Sequence, residues 1–156
     1  MPSFQLVGLD PAPFEGLFLL DDQALARLNA RRVRADAAET YPCRVSLEEA
    51  QRGDEMLLLP FEHQPASSPY RASGPIFVRR GQAQRRLPPD TLTPYVTKRL
   101  MSVRAYGAEH MIVDATVCEG RDLAHDLRRL MAREDVAYLH LHNARRGCFS
   151  CRVDRA

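Results

Sequence analysis

The last third of the chain alternates apolar and polar residues with a period of two, the pattern of strands that have one face in a core. LMSVRAY and HMIVDATVCE flank a turn near Gly107 and predict an antiparallel hairpin, and YLHLHN and CFSCRVD predict two further strands. Alternation assigns the apolar face to Met101, Val103, Ala105, Met111, Val113, Ala115, Val117, Ala137, Leu139, Leu141, Phe149, Cys151 and Val153. It assigns the polar face to Ser102, Arg104, Tyr106, His110, Asp114, Thr116, Cys118, Tyr138, His140, His142, Cys148, Ser150 and Arg152.

Helices are predicted to cover the apolar face. RDLAHDLRRLMARED repeats its leucines at helical spacing, and LLDDQALARLNARR offers Asp21 as an N-cap. A helical turn or two is also expected after Ser46, which forms a capping box with Glu49. EMLLLPF and PIFVRR are typical of strands. These elements indicate the α+β class: a mainly antiparallel sheet with two or three helices packed on one face.

The bulk properties suit one globular domain over residues 1–156. The formal net charge of +2 is too small to predict nucleic acid as the main partner. The N-terminus lacks a basic start followed by an apolar run, and no segment approaches the roughly 18 apolar residues of a membrane span. We therefore expect a cytoplasmic protein without a membrane partner, whose four cysteines are reduced.

Cys148 and Cys151 form a CxxC near the C-terminus. In a regular strand, residues three apart point to opposite faces, so a disulfide between them is not expected. A redox dithiol also needs a following helix to lower the thiol pKa, and only five residues remain. Cys151 is most simply a core residue.

His140, His142 and Cys148 leave three interpretations open. If the NARRG loop closes symmetrically, Cys148 stands opposite His142, with their Cβ atoms roughly 5 Å apart. The group could hold zinc with Asp114 as a fourth ligand, although a lone His-x-His is weak evidence and no metal is predicted. Alternatively, Cys148 is a nucleophile with His142 or His140 as its base, Arg104 as an anion anchor, and Tyr106 and Asp114 orienting the others. The third interpretation is a solvated polar face.

Arg44 and Arg71 lie in segments rich in turn residues. Each could clamp an anionic ligand, but arginines in such segments commonly bind loop carbonyls, and we favour that structural role.

The segments YPCRVSL, PYRASGPIFV, LMSVRAY and HNARRGCF resemble, in the same order, those of a bacterial family catalogued as domain of unknown function 1203. The shared positions are Pro42, Cys43, Arg44, Pro69, Tyr70, Gly74, Pro75, Ile76, Phe77, Arg104, Tyr106, Gly147 and Cys148. Family members often have a histidine where this chain has Arg79. The resemblance implies a bacterial, stand-alone, single-domain protein and supplies neither activity nor cofactor.

The sequence therefore favours a small-molecule site, binding or catalytic, on the polar face of the C-terminal strands, with an anionic ligand. The alternative is a non-catalytic interaction protein that uses this face to bind a partner or a second copy of itself. The state could be a monomer or a homodimer.

Overall fold

The structure, a computed structural model, describes residues 2–37 and 40–156 and confirms the α+β class. In chain order its elements are β1 (Phe4–Val7), α1 (Ala12–Glu15), α2 (Asp22–Arg27), β2 (Arg31–Arg34), β3 (Pro42–Cys43), β4 (Glu48–Glu49), β5 (Glu55–Gln64), β6 (Ala72–Arg79), α3 (Pro94–Thr97), β7 (Leu100–Tyr106), β8 (Ile112–Glu119), α4 (Leu123–Met131), β9 (Tyr138–Asn143) and β10 (Phe149–Arg155). None of these helices is long and apolar enough to cross a membrane.

The strands form two five-stranded sheets, whereas alternation along the chain indicated only one. The C-terminal sheet has the order β1-β10-β9-β7-β8 and is antiparallel throughout. The N-terminal sheet has the order β2-β5-β6-β3-β4 and includes one parallel pair, β3 with β6. Each sheet has its own cluster of buried apolar side chains.

The core of the C-terminal sheet lies between its apolar face and α4, as predicted. Met101, Val103, Ala105, Leu139 and Leu141 are fully buried. They pack in one cluster with Leu123, Leu127, Leu130 and Met131 of α4. Nine residues are too few for an isolated helix to be stable in water, so this burial, about 1.5–3 kcal/mol for each large apolar side chain, holds α4 in place.

Two local helix predictions are corrected by tertiary contacts. Asp21 caps α2 as expected, but the helix ends at Arg27 and Asn29 takes a left-handed conformation with φ 57°. The chain then continues as β2 beside β5. No helix follows Ser46: residues 44–47 form a turn between β3 and β4, and Leu47 is buried there with φ 54°. Burial of Leu47 overrides the local capping signal.

The face predicted for β8 is also wrong. Pairing with β7 sets Asp114 beside Ala105, on the side of the sheet covered by α4. Asp114 forms ion pairs there with Arg133 at 2.7 Å and Arg129 at 3.6 Å. Asp114 thus pairs with Arg129 of α4 and with Arg133 just after it, and β8 is an edge strand whose residues on the other face are exposed. The exposed residues are therefore the apolar ones: Met111, Val113, Ala115 and Val117.

Candidate functional site

The polar face of β7, β9 and β10 carries a row of cationic and imidazole side chains. Arg104 of β7 pairs with His140 of β9, and His140 pairs on its other side with Arg152 of β10. Tyr106 stands beside Tyr138 and stacks on it, with ring centroids 5.1 Å apart and planes 13° apart. Alternation correctly predicted that Arg104, Tyr106, His140 and His142 share this face.

Cys148 does not stand opposite His142, because the loop after β9 closes one residue earlier than predicted, and a bulge follows between Phe149 and Cys151. Phe149 pairs with His142, and the ladder is irregular between Phe149 and Cys151. The carbonyl oxygen of Cys148 accepts a hydrogen bond from the Asn143 N–H at 2.9 Å, so Cys148 lies opposite Asn143 and Phe149 lies opposite His142. The predicted thiol–imidazole pair is not formed.

The bulge adds one residue, so the alternation argument that separated Cys148 from Cys151 does not hold across it. Both thiols are nevertheless free, and Cys151 is a buried core residue as predicted. Asp114 lies on the opposite face of the sheet and does not meet Arg104 or the histidines. Neither the predicted zinc ligand set nor the predicted catalytic set is therefore assembled.

A third histidine, His63 at the end of β5, reaches this face from the N-terminal sheet. Its ring lies 5.0 Å from the ring of His142 and 6.3 Å from that of His140, and it stacks on Phe149 at 5.2 Å. We call His63, His140 and His142 the histidine cluster. His63 was missed from the sequence because its position depends on how the two sheets meet, and no local pattern reports that.

Within the histidine cluster His140 and His142 are buried and His63 is half-buried, and all three rings are neutral at pH 7. His140 is 4% exposed and His142 is 1% exposed. Burial lowers the pKa of His140 to about 3, helped by the other two imidazoles, Arg152 and Arg104. Burial, together with the charge of Arg104, lowers the pKa of His142 to about 4, although the hydrogen bond to the Gly147 carbonyl raises it. The pKa of His63 is lowered by burial and by Arg104 in the same way.

Several ring nitrogens of the cluster are buried without a hydrogen-bond partner among residues 2–37 and 40–156. They are Nδ1 and Nε2 of His63, Nδ1 of His140 and Nε2 of His142. Buried polar atoms in native proteins are normally paired with protein or water, and each orphan costs about 1–3 kcal/mol. Four of them in one place indicate a position for a polar ligand or ordered water.

Arg104 is half-buried beside this cluster and forms no ion pair with any described carboxylate. By contrast, Arg71 binds Glu62 through two hydrogen bonds of 3.0 and 3.2 Å, and Arg133 binds both Asp114 and Asp135. Burial raises the pKa of Tyr106, and Gln64 and Arg104 oppose that rise. The site is therefore electropositive and its tyrosine stays protonated.

A cavity of about 360 Å³ opens against the same face. Its lining includes His63, His110, Tyr138, His140, Phe149 and Arg152. The Tyr138 hydroxyl accepts a hydrogen bond from Gln64 Nε2 at 3.0 Å and lies 2.7 Å from His110 Nδ1. The guanidinium of Arg152 lies 4.2 Å from the centre of the Tyr138 ring.

A larger cavity, about 590 Å³, lies elsewhere, between α1 and the loop after β6. Its apolar lining includes Phe14, Phe18 and Val78, and its arginines, Arg79 and Arg80, already bind Asp54 and Glu55. Among its described lining residues one buried polar atom, Arg79 Nε, lacks a hydrogen-bond partner, compared with four ring nitrogens in the histidine cluster.

Arg44 and Arg71 have structural partners. Arg44 is buried, and its guanidinium donates to the Phe149 carbonyl at 2.8 Å and to the Pro42 carbonyl at 2.7 Å. Arg44 thus binds backbone carbonyls of both sheets, which is the role favoured from the sequence. Arg71 is exposed and paired with Glu62, so it does not reach the cluster.

A metal ion is disfavoured at the histidine cluster on two grounds. Within the described chain, no three histidine, cysteine or acidic side chains are arranged to hold one. Arg104, which stands beside His140 and has no described carboxylate partner, would also repel a divalent cation. The same charge favours an anion.

Comparison with known proteins gives one match. A family model described as "Protein of unknown function (DUF1203)" matches residues 40–155, which is most of the chain and contains every site residue named above. No curated protein and no solved structure matches the chain.

Proposed function

We propose that this chain, which belongs to the DUF1203 family, binds a small anionic molecule where the polar face of the C-terminal sheet meets the end of β5. The residues that we propose to contact it are Arg104, His140 and His63, with Arg152 at the wall of the adjoining cavity. His142 and Tyr106 complete the surroundings.

The observation that carries this proposal is an arginine without a carboxylate beside three neutral imidazoles. Arg152, on the other side of His140, already pairs with Asp154 at 2.7 Å, whereas Arg104 is half-buried and has no described carboxylate beside it. A guanidinium binds carboxylates and phosphates through two parallel hydrogen bonds, and each such bond is stronger when both partners are charged. An anion would satisfy Arg104 together with imidazole N–H groups that now lack acceptors.

The burial of the cluster argues against the alternative, in which this face is an interaction surface. His140 and His142 are buried and the ring of His63 packs against both, so a flat partner surface could not contact them directly. A concave site with convergent polar groups suits a small molecule.

The test is isothermal titration calorimetry of the purified protein with inorganic phosphate, sulfate and acetate. We expect at least one anion to bind, and Arg104→Gln to weaken that binding by about tenfold or more, because it removes a charge-assisted hydrogen bond. Arg71→Gln is the matched control: it makes the same change at an arginine paired with Glu62, and it should leave the affinity unaltered. Equal losses in both variants, or no binding of any of these anions to the wild type, would contradict the proposal.

A further inference from the structure

The Nε2 atom of His142 is buried and has no described hydrogen-bond partner, which restricts the ligands that suit this site. We infer that the anion bound at this site carries its own hydroxyl donor, so that it accepts from Arg104 with one oxygen and donates an O–H to His142 with another. The ligand class is an oxyanion bearing an O–H group, which includes hydrogen phosphate and hydroxycarboxylates. This inference rests on the proposed anion-binding function and names the chemistry of its ligand.

The tautomer of His142 is fixed by the turn between β9 and β10. Its Nδ1 lies 2.9 Å from the Gly147 carbonyl oxygen, which can only accept, so Nδ1 carries the proton. Gly147 has φ 82°, a conformation in which glycine is favoured, and this turn holds the carbonyl in position. Because burial keeps the ring neutral, Nε2 must present a lone pair.

No described protein group donates to that lone pair. The ring is 1% exposed, and Nε2 is buried without a partner. Its neighbours on the adjacent elements are Ser102 and Arg104 on β7, His140 on β9, Phe149 on β10 and His63 on β5. A bare anionic oxygen in this position would be repelled by the lone pair, whereas an O–H would pair with it.

The spacing suits a small oxyanion. Arg104 pairs with His140, so it lies diagonally from His142 across β7 and β9. The backbones of diagonal neighbours in an antiparallel pair are about 7–8 Å apart and their side chains project from the same face, so one small ligand could contact both side chains. His63 closes the space from the other sheet.

A comparison of the affinities for hydrogen phosphate and sulfate separates the effect of the O–H donor from the effects of charge and shape. Near pH 8 both are tetrahedral dianions, but only hydrogen phosphate has a proton to donate. A site built to hydrogen-bond a substrate hydroxyl can reject an analogue lacking it by factors of up to about 10⁴–10⁵. We expect calorimetry at pH 8 to give an affinity for phosphate at least about tenfold higher than that for sulfate. The affinity for glycolate compared with that for acetate tests the same requirement for a hydroxycarboxylate.

Two substitutions at His142 separate its two nitrogens. The side-chain amide nitrogen of Asn overlays Nδ1, so His142→Asn keeps the hydrogen bond to Gly147 and deletes the acceptor. The amide of Gln overlays Nε2, so His142→Gln keeps an acceptor and loses the hydrogen bond to Gly147. We expect His142→Asn to reduce the phosphate-to-sulfate affinity ratio to about one, and His142→Gln to retain a preference for phosphate. Circular dichroism checks that both variants are folded.

Failure of the inference is distinguishable from failure of the proposed function. If the wild type binds phosphate and sulfate equally and glycolate and acetate equally, or if His142→Asn keeps the preference, then the inference is wrong and anion binding stands. If none of the four anions binds, both are wrong. A preference for glycolate over acetate without phosphate binding supports the inference with a hydroxycarboxylate as ligand.

Discussion

At the scale of single residues, the fold keeps three imidazoles neutral at this site. The free energy of unfolding therefore depends on pH. Burial and the charge of Arg104 both penalise their protonated forms, and the pKa values of His140 and His142 fall to about 3 and about 4. In the unfolded chain a histidine titrates near 6.5. Below that pH the unfolded state binds more protons than the folded one, so the free energy of unfolding falls as the pH falls.

We predict that stability drops between pH 6.5 and 5 by up to about 1.4 kcal/mol per pH unit for each buried histidine. Carboxylates whose pKa is lowered, such as Asp54 and Glu55, lose their stabilisation only nearer pH 4, where the unfolded groups protonate, so this window reports on histidine. Urea unfolding at several pH values measures the slope. His140→Phe should flatten it, and replacement of the exposed His125 by Asn should not. An unchanged slope in His140→Phe would contradict the account.

Residue-level prediction from the sequence worked where strands are regular and failed at one irregular position. Arg104, Tyr106, His140 and His142 lie on β7 and β9, whose pairing preserves the period of two over all four residues. Cys148 follows a loop that closes one residue earlier than predicted, and alternation along a strand cannot detect such a shift. Phe149 consequently takes the position that was predicted for the thiol.

At the scale of elements, α4 and β8 share a set of ion pairs that is separate from the candidate site. Asp114 accepts the Ala115 N–H at 2.7 Å and binds Arg133 and Arg129, and these contacts lower its pKa in that order. The alternation along β8 is real, but its apolar residues face solvent and its polar residues face the helix. The sequence pattern of β8 alone does not show which of its faces contacts α4. That depends on the position of the arginines of this region over an edge strand, which is a tertiary feature.

We predict that Asp114→Asn lowers the free energy of unfolding by no more than about 1 kcal/mol, because the ion pairs are partly exposed. Its affinity for phosphate should equal that of the wild type, since Asp114 faces away from Arg104. Urea unfolding and calorimetry on the same preparation check both values. A loss of phosphate binding comparable to that of Arg104→Gln would show that Asp114 contributes to the binding site.

At the scale of the whole molecule, the site and the junction of the two sheets coincide. Arg44 donates to carbonyls of Pro42 in one sheet and Phe149 in the other, and the Tyr95 hydroxyl donates to the Ser150 carbonyl at 2.9 Å. Gly8 approaches so closely that a Cβ there would lie 2.1 Å from the Val45 carbonyl oxygen. The sequence predicted most of the strands but not their division, because pairing between distant strands leaves no periodic trace.

We propose that the two sheets form one cooperative domain and predict a single unfolding transition. Far-UV circular dichroism and the fluorescence of the five tyrosines should give coincident curves in urea. Arg44→Met leaves two buried carbonyls without donors and should lower the free energy of unfolding by about 2–5 kcal/mol. If the contact between the sheets is lost first in this variant, its circular dichroism and fluorescence curves will separate. Two transitions in the wild type would show that the sheets are independent.

The proposed anion binds beside the histidine cluster and is held by Arg104. Long-range ¹H–¹⁵N spectra of the histidine rings test this binding directly, with inorganic phosphate added at constant pH. We predict that the signals of His63, His140 and His142 move saturably, that His125 on α4 stays still, and that Arg104→Gln abolishes the movement. Stationary signals from the cluster, or equal movement of His125, would contradict the account.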